Sequence, residues 1–214
     1  MIRCEDLTAY YGQAAALRGI SVELDADEIV AVLGHNGAGK STLLNSLARA
    51  HASVQGRITL GDADITSAGP SDVARRGVSL VREGAPVFGD LSVEENLRMG
   101  ARLARLRGRD APSFEEVWEW FGVLQEKRRT KAGLLSGGQR QMLAISTALV
   151  SRPDVLLVDE PSAGLAPSMA KTVFTAMKQL CATGMTVLVA EQNMEWVTDF
   201  ALRTYALESG VLVP

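Results

Sequence analysis

Gly34-His35-Asn36-Gly37-Ala38-Gly39-Lys40-Ser41-Thr42 sits between two very different patterns. Before it runs Ile29-Val30-Ala31-Val32-Leu33, an apolar stretch of strand length. After it, from Thr42 to Ala50, Leu43, Leu44 and Leu47 fall on one helical face. Strand, glycine loop and helix in that order form the setting in which G-x-x-x-x-G-K-[ST] binds phosphate. Gly34, Gly37 and Gly39 carry no Cβ, so backbone N–H groups can close on phosphate oxygens. A helix starting near Lys40 aims its positive end at the same oxygens. The Lys40 ammonium is then expected at the β- and γ-phosphates, and the Ser41 hydroxyl on Mg²⁺.

The chain has 214 residues, enough for one domain with a subdomain and a good core. Its formal net charge of −3 argues against a general nucleic-acid binder. No apolar run approaches the roughly 20 residues of a membrane helix, and Met1 to Asp6 show no signal-peptide core. Cys4 and Cys181 form no metal or disulfide framework and read as packed thiols, which suits a reducing cytosol.

In chain order, residues 1–33 read as strands, with Ile20, Val22 and Leu24 alternating with Ser21, Glu23 and Asp25. Tyr10-Tyr11-Gly12 lies ahead of the phosphate loop; a tyrosine there is either core or a platform for a nucleotide base. Arg57 to Ile65 reads as a strand and turn, Gly77 to Val81 as a short strand, and Arg82-Glu83-Gly84-Ala85-Pro86 as a loop. Ser92-Val93-Glu94-Glu95 and Ser113-Phe114-Glu115-Glu116 both have the capping-box spacing that opens a helix. Arg98, Arg102, Arg105, Arg107 and Arg109 read as a solvated helical face. Leu135-Ser136-Gly137-Gly138-Gln139 opens a further helix with Ser136 as N-cap, a second geometry suited to anions.

Val155-Leu156-Leu157-Val158 is a buried-strand run that ends in Asp159 and Glu160. Sheets of α/β proteins place ligands at the C-terminal ends of their strands. Asp159 is expected to hold Mg²⁺ through water, and Glu160 to polarise an attacking water. Thr186 to Ala190 is the next strand, leading to Glu191-Gln192-Asn193. Thr204 to Glu208 and Val211 to Val213 close the chain as a hairpin across Ser209-Gly210.

The phosphate loop, Leu-Ser-Gly-Gly-Gln at 135–139 and Asp-Glu-Pro at 159–161, in that order and spacing, resemble the nucleotide-binding subunits of ABC transporters. Tyr10-Tyr11-Gly12, Glu83-Gly84, Val87-Phe88, Leu91 to Leu97, Gln141 to Ile145, Pro161 to Pro167 and Glu191-Gln192-Asn193 resemble one branch in particular. That branch is the second ATPase of branched-chain amino-acid importers and its urea and amide relatives. The arm from Met99 to Gly133 matches least.

The resemblance implies an α/β phosphate-loop NTPase of the ABC ATPase fold: a RecA-like core, an antiparallel β part and a helical lobe. The core would span about 1–88 and 153–214, and the lobe about 89–152. It implies a head-to-tail dimer, with a second ABC ATPase subunit or a copy of the same chain. ATP would lie between one phosphate loop and the other subunit's Ser136, Gly137, Gly138 and Gln139. Tyr11 would stack on adenine, and Ser162 to Ala166 would cross the interface. Glu83 stands where a glutamine usually contacts Mg²⁺ and water, and Gln192 where a histidine usually contacts the γ-phosphate. Both replacements suit this branch and put the hydrolysis rate of the chain's own site in question.

The implied function is ATP hydrolysis that powers import through membrane permease subunits, with a solute-binding protein acting indirectly. The implied location is peripheral, on the cytoplasmic face of the membrane. Val87, Phe88 and Leu91, within Gly84 to Met99, would receive a permease helix. A different class is a soluble ABC ATPase acting on ribosomes or DNA; such proteins usually carry two ATPase domains or a long coiled coil, and this chain has neither. A phosphate-loop kinase or GTPase has no use for Leu135 to Gln139.

Overall fold

The computed structural model describes residues 2–51, 53–84, 86–110 and 113–213. Met1 and Ala85, which fall in the expected first strand and the expected 82–86 loop, lie outside that set.

Two sheets carry the chain. Strands β1 (Ile2–Tyr11), β2 (Ala14–Leu24), β4 (Val54–Leu60) and β5 (Ala63–Asp64) form an antiparallel sheet in the order β2-β1-β4-β5. The second sheet contains β3 (Ile29–Leu33), β6 (Val78–Val81), β7 (Val155–Asp159), β8 (Thr186–Glu191), β9 (Arg203–Glu208) and β10 (Val211–Val213). Its order is β10-β9-β3-β8-β7-β6, parallel throughout except for the β9–β10 hairpin. Strands β3, β7 and β8 are apolar on both faces because both faces are covered.

Alternate residues of this sheet feed two cores. Val30, Val32, Leu157 and Leu188 join β1, β2 and helix α1 (Lys40–Leu47). Ile29, Val81, Leu156, Val158, Val187 and Val189 join the helices on the other face. Those helices are α3 (Val93–Leu106), α4 (Phe114–Trp120), α5 (Gly122–Glu126), α6 (Gly137–Val150) and α7 (Pro167–Cys181). Short helices α2 (Pro70–Arg75) and α8 (Met194–Thr198) complete the set among the described residues.

The Ser92 capping box forms: Glu95 N donates to Ser92 Oγ at 3.2 Å and Ser92 N to Glu95 Oε2 at 2.8 Å. The one expected at Ser113 does not. Ser113 is the N-cap of α4 but makes no side-chain cap bond. Its reciprocal glutamate, Glu116, is instead 3.4 Å from Arg152 Nη2. The expected arginine face is also corrected in part. Arg98, Arg102 and Arg105 are exposed on α3, but the helix ends at Leu106. Arg107 therefore turns inward and donates to Ala74 O (2.6 Å) and Ser151 O (2.9 Å), the ends of α2 and α6. Burial lowers its pKa to about 10, and Arg109 adds to the fall.

Candidate functional site

Strand β3 delivers the phosphate loop at the C-terminal edge of the sheet, between β8 and β9. Gly34 must be glycine, because a Cβ there would collide with Leu207 O of β9. Gly37 and Gly39 have φ of 82° and 110°, in the region that only glycine adopts freely. Two backbone bonds hold the loop from outside: Gly34 N donates to Glu191 O (3.3 Å), and Gly210 N to Ala38 O (2.9 Å). Helix α1 starts at Lys40, as the motif requires.

Lys40 is 4% exposed, and its ammonium donates to Gly34 O at 2.7 Å and His35 O at 3.2 Å. The same nitrogen is 3.4 Å from Glu160 Oε1. Glu160 leaves β7 with φ of 47°, a conformation that costs a non-glycine residue about 1–2 kcal/mol. Its N–H donates to Ala190 O at 2.9 Å, which pins that turn to β8.

These groups line a cleft of about 630 Å³. Tyr11, His35, Asn36, Gly37, Gly39, Lys40, Ser41, Thr42, Glu83 and Glu160, all singled out by the sequence, face it; Gly34 and Ala38 do not. Ala15, Ala16, Arg18 and Ser209 also face it and were not singled out by the sequence. Arg18 sits on an ordinary alternating strand, so only the fold reveals its position. The Tyr11 ring meets His51 edge-on with centroids 4.7 Å apart, and its hydroxyl is 3.5 Å from Thr42 Oγ1. His51 is fixed in turn by a 2.9 Å bond to Tyr10 O.

Asp159 is buried beneath the cleft near the Ser41 hydroxyl, and its Oδ1 has no hydrogen-bond partner among the described residues. Burial pushes its carboxyl above the usual range; Glu160 and Glu83 add to the rise, while the Ser41 hydroxyl and Lys40 oppose it. A buried carboxylate oxygen without a partner, near a hydroxyl, offers hard oxygen donors of the kind a Mg²⁺ ion takes, although among the described residues no three acids stand close enough together to hold a metal by themselves.

Gln192 is exposed and does not line the cleft. Ser136, Gly137, Gly138 and Gln139 do not line it either. They open α6 elsewhere through a complete capping box: Gln139 N donates to Ser136 Oγ (3.3 Å) and Ser136 N to Gln139 Oε1 (3.0 Å). Gly138 lies against the loop after β7, where a Cβ would come within 3.0 Å of Leu165 Cδ2.

One residue of this region escaped the sequence reading. Glu191 was noted only as part of a tripeptide, yet its carboxylate is buried and accepts from Ser162 N (3.0 Å) and Gln192 N (3.3 Å). Burial raises its pKa and Glu160 adds to the rise, against the opposing bonds from Ser162 and Gln192.

Comparison with known proteins shows the family and the fold. The family model described as "ABC transporter" matches residues 17–163. The chain is 40% identical over 213 residues to the high-affinity branched-chain amino acid transport ATP-binding protein BraG of Pseudomonas aeruginosa, covering 100% of this chain and 91% of that protein. It is 35% identical to the probable branched-chain amino acid transport ATP-binding protein LivF of Archaeoglobus fulgidus, over 98% of this chain and 89% of that one. Its fold matches the crystal structure of a nucleotide-free ATP-binding cassette from an ABC transporter with a TM-score of 0.84 at 28% identity, covering 100% of this chain and 90% of the other. The chain therefore belongs to the ABC transporter family. It is a nucleotide-binding ATPase subunit with the phosphate-loop ABC ATPase fold.

Proposed function

We propose that this ATPase powers import of branched-chain amino acids or closely related small solutes, as a peripheral subunit on the cytoplasmic face of a membrane. The observation that carries the reaction is the convergence of Lys40, Ser41 and Glu160 on one cleft behind a glycine loop, with Asp159 buried beneath it. The phosphate-loop N–H groups and Lys40 hold the β- and γ-phosphates, and Tyr11 carries the adenine ring on a platform braced by His51. Glu160 takes the proton from the water that attacks the γ-phosphate. Ser41 and Asp159, with Glu83 at the rim, would hold Mg²⁺, which neutralises phosphate charge when bound. Gln192 stands outside the cleft, so its neutral amide would reach a γ-phosphate only after a movement of the segment that follows β8.

Ser136 to Gln139 stand apart from the cleft, which supports completion of the site by a second ATPase subunit, either a relative or a copy of this chain. The division into a core (about 1–88 and 153–214) and a helical lobe (about 89–152) belongs to the same reading. So does the docking of a permease helix beside Phe88. A groove of about 300 Å³ runs there between β6, α3 and α6, lined by Val87, Phe88, Met99 and Leu103 among others. Phe88 is 56% exposed at its mouth. Among the described residues no helix is long and apolar enough to cross a membrane, so in this reading the transport path belongs to partner subunits.

The test is isolation of the tagged chain from membranes of cells that express it, with ATP-driven uptake of radiolabelled leucine measured in reconstituted vesicles. Co-purification of membrane-spanning subunits and a leucine-dependent rise in ATP turnover are expected. Recovery of the chain only with ribosomes or DNA, and without membrane subunits, would refute the import role.

A further inference from the structure

Glu160 directly follows β7 and Glu191 closes β8, and the two acids are held differently. Glu160 turns into the cleft, whereas the Glu191 carboxylate is 2% exposed and used entirely on backbone. Its Oε1 accepts from Ser162 N at 3.0 Å, and its Oε2 from Gln192 N at 3.3 Å. Its own carbonyl accepts from Gly34 N, the first residue of the phosphate loop, at 3.3 Å. One residue thus touches the start of the phosphate loop, the loop that leaves the Glu160 turn and the segment that carries Gln192. A neighbouring bond, Glu160 N to Ala190 O, adds the base to the same junction.

We propose that Glu191 is a positioning residue for hydrolysis: its carboxylate ties the Ser162 loop to the backbone at Gln192, so that Glu160, which opens that loop, is held in register with the phosphate loop. A carboxylate suits the task because it is acceptor-only and can take both N–H groups at once. Charge-assisted bonds of this kind are roughly twice as strong as neutral ones. The arrangement also spends a buried acid where a hydroxyl or an apolar residue would fill the strand end at lower desolvation cost. The Ser162 loop continues to Leu165, which lies against Gly138 at the start of α6. A shift of the Glu191 junction therefore reaches the Ser136–Gln139 turn of the same chain as well as its own cleft. This inference rests on the site assignment made above.

The experiment uses the full chain with Mg²⁺ and a fluorescent N-methylanthraniloyl-ATP probe, followed by ATP turnover and amide hydrogen exchange. Glu191→Ala should keep the probe affinity within about twofold and lower kcat by roughly tenfold or more, the scale expected when reacting groups are misplaced by about an ångström. Exchange should quicken at 160–165 and 191–193 and stay unchanged at 34–47. Glu191→Gln can accept from only one of the two N–H groups without reorganising, so it should fall between wild type and alanine. Unchanged turnover in Glu191→Ala overturns the inference. So does a joint loss of affinity, melting temperature and protection across the whole sheet, which would mark a merely structural role. If Lys40→Ala binds the probe as well as wild type does, the site assignment itself fails and takes this inference with it.

Discussion

The Lys40 ammonium and the Glu160 carboxylate stand 3.4 Å apart, joining the helix after the phosphate loop to the strand that supplies the base. The two side chains have different expected roles, so their removal should separate binding from chemistry. Glu160→Gln keeps the shape and should retain nucleotide affinity while losing about 10²–10⁴ in turnover, the usual weight of a positioned base. Lys40→Ala should weaken binding itself. Equilibrium binding and single-turnover hydrolysis on the two variants decide it, and a Glu160→Gln enzyme with normal turnover would sink the assignment.

Two glycines should respond in opposite ways to the same change. Gly34→Ala drives a methyl into the backbone oxygen of Leu207 and should cost about 1–3 kcal/mol in urea denaturation. Gly137 begins α6 with open space around its Cβ position and no positive φ. Gly137→Ala should fold at least as well, because alanine favours helix over glycine by up to about 1 kcal/mol. It should nevertheless lose turnover in the assembled transporter, where the exposed helix start is expected to approach a partner's phosphate. Full activity of the folded Gly137→Ala chain would count against a shared site.

Phe88 and Asn96 should likewise part company. Buried Asn96 holds the Phe88 backbone from both sides, accepting from its N–H at 2.9 Å and donating to its carbonyl at 3.1 Å. Asn96→Ala leaves those groups unpaired and should destabilise by about 1–3 kcal/mol. Phe88→Ala removes an exposed ring and should stay within about 0.5 kcal/mol of wild type, with ATP affinity intact. Its loss should appear as weaker permease association and uncoupled uptake; unimpaired uptake would remove the docking role.

Asp159 should show the cost of its position in a pH titration of stability. Its carboxyl is raised above the ordinary 3.8 mainly by burial, so the folded chain binds that proton more tightly than the unfolded chain does. The stability tied to the proton is complete below the unfolded value and is lost as pH rises through the raised one. Asp159→Asn is uncharged throughout. It should melt above wild type at neutral pH, and the gap should close as the pH is lowered through the acid range. Turnover should fall in the same variant. A constant gap at all pH values would contradict the sign.

Gln192 offers a gain-of-function test. Gln192→His adds, in the segment that follows β8, a group that can carry positive charge toward the γ-phosphate if that segment closes on the cleft, with hydrogen bonds about twice as strong when charged. Turnover at the site built on Lys40 and Glu160 should rise by up to roughly tenfold, with the partner site silenced by its own base mutation. No change would show that the amide and Glu83 already serve as well in their own geometry.

The parts of the site that were legible in the sequence are those in which a local rule decides the structure. Gly34 to Thr42 needs small residues at fixed spacing, and apolar runs on both sides of it fix strand and helix. Ser92 and Ser136 cap their helices because their reciprocal partners, Glu95 and Gln139, fold back to accept from the N-cap N–H groups. Ser113 follows the same spacing and fails because Glu116 reaches Arg152, 36 residues away. Arg107 looked solvent-facing for the same kind of reason: helical spacing predicts a face only while the helix lasts. Glu191, Arg18 and His51 were invisible because their roles depend on which strand lies beside which. An acid closing an apolar strand, next to a second strand closed by acids, was the one available hint for Glu191.

Strand β3, which carries the phosphate loop, lies between β8 and β9. Both of its hydrogen-bonded neighbours therefore come from residues 186–208, and the turn that secures Ala38 comes later still, at Gly210. On a ribosome the loop emerges early and waits through some 150 further residues for the strands that will clamp it. Such long-range pairing is slow to form and leaves apolar strand edges open in the interval. The nascent chain thus acquires its nucleotide grip only once residues 186–210 have emerged, and a truncation that removes the β9–β10 hairpin should abolish a motif that lies almost 170 residues upstream.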